Sequence, residues 1–307
     1  MANSVKTNPS IPVKSLIVEI QNRYGYSVSY KKAWKAKQKA LEMQFGDWEE
    51  SYNHLPRWLQ ALQESLPRTI VQCIGHPIVV DGVKDPSTNI LDRVFWAFKP
   101  CIDGFNYCKP IVQVDGTSLT GKYHDTLLTV ISQDGNRNIF PLAFAIVEVE
   151  TKEAMIWFFQ LLREYVTPKP NICLITDRGK AILSALQSPN IAWEEDGLSS
   201  VFCIRHIASN FNKKFKNAEL KRQLINIGIF SFFIFNFKFS PLPYLFFHIV
   251  TTYEMKQSTV MTKLSAMRSE FPQAVSWIDQ IPLEKWAQAF DGGKRFGHMT
   301  TNAQTPF

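Results

Sequence analysis

The stretch Lys109-Pro-Ile-Val-Gln-Val-Asp-Gly-Thr117, read together with Asn171-Ile-Cys-Leu-Ile-Thr-Asp-Arg178, decides how the rest of this chain is interpreted. Each is a short β-branched and apolar run bounded by Pro, Gly or Asn, the pattern of a buried strand. Each ends in an aspartate, Asp115 in one and Asp177 in the other. A carboxylate at the end of a buried strand is costly unless it is paired or binds a cation. The pair therefore suggests one acidic site assembled from neighbouring strands. Asp-Gly and Asp-Arg are also common where strands end, so a turn-forming role for both aspartates stands as the alternative.

The sequence around them supplies the remaining elements. Strands are expected at 111–114, 126–132, 139–148, 172–176 and 200–204, with a tight turn at Asp134-Gly135. Thr151 is placed to cap a helix running to about Tyr165, with Trp157, Phe158, Leu161, Leu162 and Tyr165 as its buried face. Pro168 and Pro170 end that helix, and 180–187 reads as another. A hairpin run followed by crossovers, β-β-β-α-β-α-β, predicts an α/β fold with a mixed sheet flanked by helices. This is the layout of a ribonuclease-H-like core. There the first and fourth strands are neighbours, which would bring Asp115 and Asp177 together.

The N-terminal part reads differently. Residues 1–11 are expected to be a disordered tail, and 12–85 a small helical domain and a candidate for DNA binding. Ser29 can cap a helix through Phe45, with Tyr30, Trp34, Leu41 and Phe45 on one side. That helix carries Lys31, Lys32, Lys35, Lys37 and Lys39 against a single acid, Glu42. Such a stripe can neutralise DNA phosphates or simply face solvent. Pro56 is expected to begin a helix rather than sit inside one. Residues 68–81 look strand-like, and 90–98 reads as an apolar helix entering the core domain, 86–225.

Composition narrows the classes. The chain has 307 residues, 45% of them hydrophobic, enough for a real core. Net charge is +7 with pI near 9.1, which suits a polyanionic partner. Five cysteines, an odd number lying mostly in apolar runs, fit a reduced intracellular protein better than a disulfide scaffold. Residues 1–15 hold no apolar signal-peptide core.

Many short motifs, in order, resemble one family. They include Trp48-Glu-Glu-Ser-Tyr52, Phe95-Trp-Ala-Phe98, Val114-Asp-Gly-Thr117, Asp134-Gly-Asn136, Ile175-Thr-Asp-Arg178, Cys203-Ile-Arg-His206 and His298-Met-Thr-Thr-Asn302. In these the chain resembles the Mutator-like (MULE, MuDR-type) transposases of plants. The resemblance implies DNA transposition by a carboxylate triad, two aspartates and a glutamate, holding two Mg²⁺ (or Mn²⁺) ions. Asp115 and Asp177 match the aspartates. Cys203 and His206 match the family's C-x-x-H element. A lone C-x-x-H lacks the four ligands of a tetrahedral zinc site, so a supporting role is expected and zinc is not. Arg178 and the basic tract after His206, with Lys213, Lys214 and Lys216, are candidate DNA contacts. The family further implies terminal inverted repeats as the DNA partner, a nuclear location and homo-oligomers.

Two departures stand out. Thr305 occupies the place where the resemblance expects the third acid, so the chain reads as C-terminally truncated and catalytically impaired. A non-cutting, DNA-binding or transcription-regulating derivative is the alternative. Glu254, Glu270 and Glu284 remain as conceivable substitutes. The second departure is 226–252, an atypical insertion with eight phenylalanines between 230 and 247. Asn236, Lys238, Pro241 and Pro243 interrupt it, so no membrane span is expected. Translated non-coding sequence, such as a retained intron, is the favoured reading, beside a genuine insertion. Residues 253–307 are expected to be a truncated helical segment.

Overall fold

The computed structural model describes residues 2–80, 82–119, 123–136, 138–191, 193, 197–229 and 257–301. The Phe-rich tract from 230 onward, Glu254, Asn302 and Thr305 lie outside them. The chain divides into two compact units, 1–67 with 119–124, and 68–118 with 125–307.

The first unit is helical: α1 Ala2–Thr7, α2 Val13–Tyr24, α3 Tyr30–Phe45 and α4 Trp48–Ser65. The expected disordered tail is corrected here, since α1 is helical and its Val5 is fully buried. Ser4 also donates a hydrogen bond to Glu19 on α2, at 2.7 Å. Ser29 caps α3 as expected, its Oγ accepting from the Lys32 N–H. The helix does not bury its aromatic side, however. Tyr30, Trp34 and Phe45 are exposed, and small Ala33 is the buried residue. Pro56 lies inside α4 rather than at its start. It forfeits the hydrogen bond to the preceding turn, while Asp47 secures the N-terminus by accepting from the Glu50 N–H at 2.6 Å.

The second unit is built on a sheet with seven strands among the described residues. They are β1 Ile70–Val80, β2 Val83–Ala97, β3 Ile111–Ser118, β4 Thr126–Gln133, β5 Ile139–Val147, β6 Cys173–Thr176 and β7 Ser199–Phe202. Their order is β1-β2-β5-β4-β3-β6-β7. Pairs from β1 to β3 are antiparallel, and β3-β6 and β6-β7 are parallel. The five strands β5-β4-β3-β6-β7 have the ribonuclease-H-like arrangement, and the β1-β2 hairpin extends the sheet past β5. Residues 90–98, expected as a helix, belong mostly to strand β2. Their apolar run, Val94 to Ala97, is buried by pairing with β5. Tertiary pairing overrides a short apolar run whose period is ambiguous, and the helical unit accordingly ends at Pro67 rather than near 85.

Helices cover both faces: α5 Lys99–Gly104, α6 Lys152–Leu161, α7 Lys180–Leu186, α8 Ile204–Phe215, α9 Ala218–Gly228, α10 Gln257–Glu270, α11 Pro272–Ile278 and α12 Leu283–Trp286. Thr151 caps α6 by accepting from the Ala154 N–H. A π turn over Leu162–Val166 follows it, and the fully buried residues are Ala154, Met155, Phe158, Phe159 and Leu162. Trp157, Leu161 and Tyr165 are only partly buried. Val112, Val114 and Leu174 join this α6 core, whereas Ile111, Cys173, Ile175, Val201 and Cys203 cluster separately. The alternation along β3 and β6 thus assigns odd-numbered residues to the second face. No helix among the described residues is long and apolar enough to cross a membrane.

Candidate active site

The register of β3 on β6 pairs Ile111 with Cys173 and Gln113 with Ile175. Two residues further along stand Asp115, inside β3, and Asp177, just past the end of β6, level with one another beyond the last parallel pair. Both follow the odd-numbered alternation of Ile111, Cys173 and Ile175, so they belong to the same side of the sheet. Neighbouring strands run about 4.8 Å apart, so the two carboxylates share one locality.

Each carboxylate is held by a local device. Asp177 Oδ1 accepts the Gly179 N–H at 2.8 Å, the turn-forming role weighed above. That bond uses one oxygen and leaves the other outside the turn. Asp115 lies within the paired part of β3, opposite Thr129, so it starts no turn. Its Oδ1 accepts from the Thr301 hydroxyl at 3.1 Å and stands 3.6 Å from His206 Nε2.

The segment His298-Met-Thr-Thr301 is what closes this side. The Ile204 N–H donates to the Met299 carbonyl at 2.9 Å, and buried Gln113 donates to the Thr300 carbonyl at 2.7 Å. The Thr301 N–H reaches Cys203 Sγ at 3.4 Å. Fully buried Arg295 anchors the approach, its Nη1 donating to the Phe202 carbonyl at 3.0 Å.

Cys203 and His206 form a coupled pair beside Asp115. Burial pushes the Cys203 thiol up, but hydrogen bonds from His206 and from the Thr301 N–H outweigh it and hold the thiol below its ordinary value. His206 is raised to about 8, chiefly by Cys203, with burial opposing and Asp115 and Asp177 adding to the rise. An imidazolium next to two carboxylates offsets their charge.

A residue that the sequence reading passed over joins them. Glu150 lies between β5 and the Thr151 cap of α6, half-buried. Its carboxyl is raised by burial first, then by the like charges of Asp177 and Asp115, with His206 offsetting in part. The signal was present, because β5 is another apolar run ending in acids, Glu148-Val-Glu150. Glu148 is taken by Arg93 in a bidentate pair at 2.6 and 2.9 Å, which leaves Glu150 for the site. Glu270, one of the conceivable substitutes, instead lines a cavity of about 490 Å³ between α9 and α10 with Gln223, Lys263 and Met267. Glu284 is exposed in the first turn of α12.

The basic candidates are spread out. Lys213, Lys214 and Lys216 are exposed at the C-terminal end of α8. Arg178 stacks over Trp277, with its guanidinium 5.2 Å from the ring centroid. Lys31, Lys32 and Lys35 are exposed on α3 in the helical unit, whereas Lys37 is engaged by the Ile11 carbonyl.

The donor set suits a hard divalent cation. Carboxylate oxygens at strand ends match Mg²⁺, which takes one or two carboxylates and keeps several waters. Among the described residues no group of three or more His, Cys, Asp or Glu side chains is placed to hold a metal ion. Cys203 and His206 face each other and Asp115, an arrangement suited to support of the acids.

Comparison with curated proteins finds no match. Residues 111–210, from the start of β3 into α8, match the family model of the MULE transposase domain. The match covers Asp115, Glu150, Asp177, Cys203 and His206, and it falls on the ribonuclease-H-like part of the sheet. Within these residues the chain is similar to the MULE transposase domain, which supports a Mutator-like transposase relationship.

Proposed function

We propose that this protein acts on DNA as a DDE-type transposase, with Asp115 and Asp177 holding divalent cations for phosphoryl transfer at transposon terminal inverted repeats. The observation that carries this reading is the coincidence of the matched domain with two aspartates level with one another beyond the last parallel pair of β3 and β6. A bound Mg²⁺ or Mn²⁺ would supply charge neutralisation at the attacking and leaving oxygens of the phosphodiester. The chain's own groups prepare the site. Gly179 and Thr301 fix one oxygen of each aspartate, and His206 balances charge beside Asp115. Exposed Lys213, Lys214 and Lys216 offer cations to the DNA backbone, as do Lys31, Lys32 and Lys35 on the helical unit. Nuclear placement and assembly into homo-oligomers belong to the same reading.

Thr305 offers a hydroxyl where the family's third acid is expected, which favours slow strand cleavage. A DNA-binding derivative that does not cut is the second reading, favoured by the same residue. The test is incubation of the full chain with terminal-inverted-repeat DNA and Mg²⁺ or Mn²⁺, beside Asp115→Asn. Weak nicking abolished by the substitution is the expected result. Binding with steep salt dependence but no nicking would select the second reading. Failure to bind DNA at any salt would overturn both.

A further inference from the structure

Helix α3 keeps aromatic rings in water with cations beside them. Ala33 is its buried residue, while Tyr30 is 57% and Trp34 46% exposed. Burying either ring would have stabilised the helical unit. Exposed rings scattered singly need no explanation, but these two stand on one flank of the helix, one turn apart. Trp34 neighbours Tyr30 four residues back and Lys31 three residues back, and Lys35 in turn neighbours Lys31 and Lys32. Rings and cations thus form one continuous exposed strip. The connection into α3 has the same composition. Arg23 lies over the Tyr24 ring at 5.7 Å, and the exposed rings of Tyr24 and Tyr26 have centroids 6.3 Å apart.

The charge does not serve the helix itself. Lys31 and Lys32 sit in its first turn, where the helix dipole disfavours cations, with no acid beside them in that turn. The single acid of the helix, Glu42, is paired with Lys39, and Lys37 is taken by the Ile11 carbonyl. Lys31, Lys32 and Lys35 therefore stand uncompensated within the helix.

We propose that this face of α3 binds single-stranded DNA, with Tyr30 and Trp34 stacking on unpaired bases and Lys31, Lys32 and Lys35 taking the phosphates. The inference rests on the DNA-directed reading above and adds the kind of strand and the rings that hold it. Lysines alone would suit a duplex equally. The rings decide for an unpaired strand, because bases stacked within a duplex cannot offer their faces to a side chain, whereas every free base can. A second copy of the same lysine face would meet like charge, which disfavours self-association through it.

The test is fluorescence anisotropy of a labelled oligonucleotide, single-stranded or annealed to its complement, titrated with the purified full chain in chelator. Circular dichroism melting is the control for folding. Trp34→Ala should weaken single-strand binding by about 5–150-fold and leave duplex binding nearly unchanged, whereas Trp34→Phe, which keeps a ring, should stay close to wild type. Lys31→Gln combined with Lys35→Gln should lower the slope of log affinity against log salt by about 1.4 on the single strand. Single-strand affinity unmoved in Trp34→Ala, or weakened no more than duplex affinity, would overturn the stacking role, and duplex binding by the wild type would leave the reading above standing. An oligomer in light scattering that Trp34→Ala dissociates, with single-strand binding intact, would make the strip a self-contact and overturn the proposal as well. Binding of neither form by the wild type would overturn both.

Discussion

Replacing Arg295 with methionine probes the anchor that holds the site-closing segment against the sheet. The Arg295 side chain is fully buried, and the Asp291 side chain beside it is 2% exposed. Arg295 Nη1 donates to the Phe202 carbonyl at 3.0 Å, Nη2 donates to the Lys285 carbonyl, and Nε stands 3.7 Å from Asp291 Oδ2. Methionine keeps most of the apolar stem but removes the charge and every donor. One buried and one part-buried carbonyl lose their partner, and a buried carboxylate is left without its cation. Breaking a buried pair on one side costs about 3–5 kcal/mol. At roughly 2–4 °C per kcal/mol for a unit of this size, the melting temperature should fall by about 6–20 °C. The assay is thermal unfolding followed by circular dichroism at pH 7 in chelator. Adding Asp291→Asn removes the stranded charge while its side-chain oxygen can still accept from the Gly293 N–H, so the double variant should regain part of the loss. Arg295→Met melting within about 2 °C of wild type would refute the argument. A double variant no better than the single one would show that the charge is not what costs.

Further outcomes follow from the same geometry. In metal-free protein, His206 should titrate near 8 by NMR and move toward 6.5 in Cys203→Ala, because Cys203 is the main cause of its raised value. Since the folded value lies above the ordinary one, the stability His206 contributes should be full below pH 6.5 and lost as pH rises through about 8. A His206 titration unmoved by Cys203→Ala would remove the coupled pair. Phe158→Ala, in the α6 core against Phe95 and Phe159, should cost about 3–5 kcal/mol in urea denaturation. Trp34→Ser should stay within about 0.5 kcal/mol because that ring is exposed. A large loss there would restore the packed stripe that helical spacing suggests.

How much of the site was legible depends on how local its signals are. Asp115 and Asp177 each end a short apolar run, and the crossover order makes their strands neighbours, so sequence alone brings them together. Glu150 carries the same local signature, yet the acid pair Glu148 and Glu150 cannot be sorted without knowing that Arg93, 55 residues upstream of Glu148, claims the first. Thr301 is likewise invisible, because its hydroxyl matters only through a partner 186 residues away. The basic candidates show the converse. Lysine runs are easy to read, but stacking of Arg178 on Trp277 and use of Lys37 by a carbonyl appear only in three dimensions.

The sequence by itself determined the α/β class, the aspartates that end apolar runs, the caps at Ser29 and Thr151 and the family that the motifs resemble. These are properties of alternation, turn chemistry and short-range spacing, which are written within a few residues of each other. Tertiary structure alone decided that residues 90–98 mostly join a strand and that the aromatic side of α3 stays exposed. It also decided that Arg93 claims Glu148 and that the Thr301 hydroxyl reaches Asp115. Each of these depends on what packs against the segment from far along the chain, and burial, pairing and like-charge contact have no counterpart in local pattern.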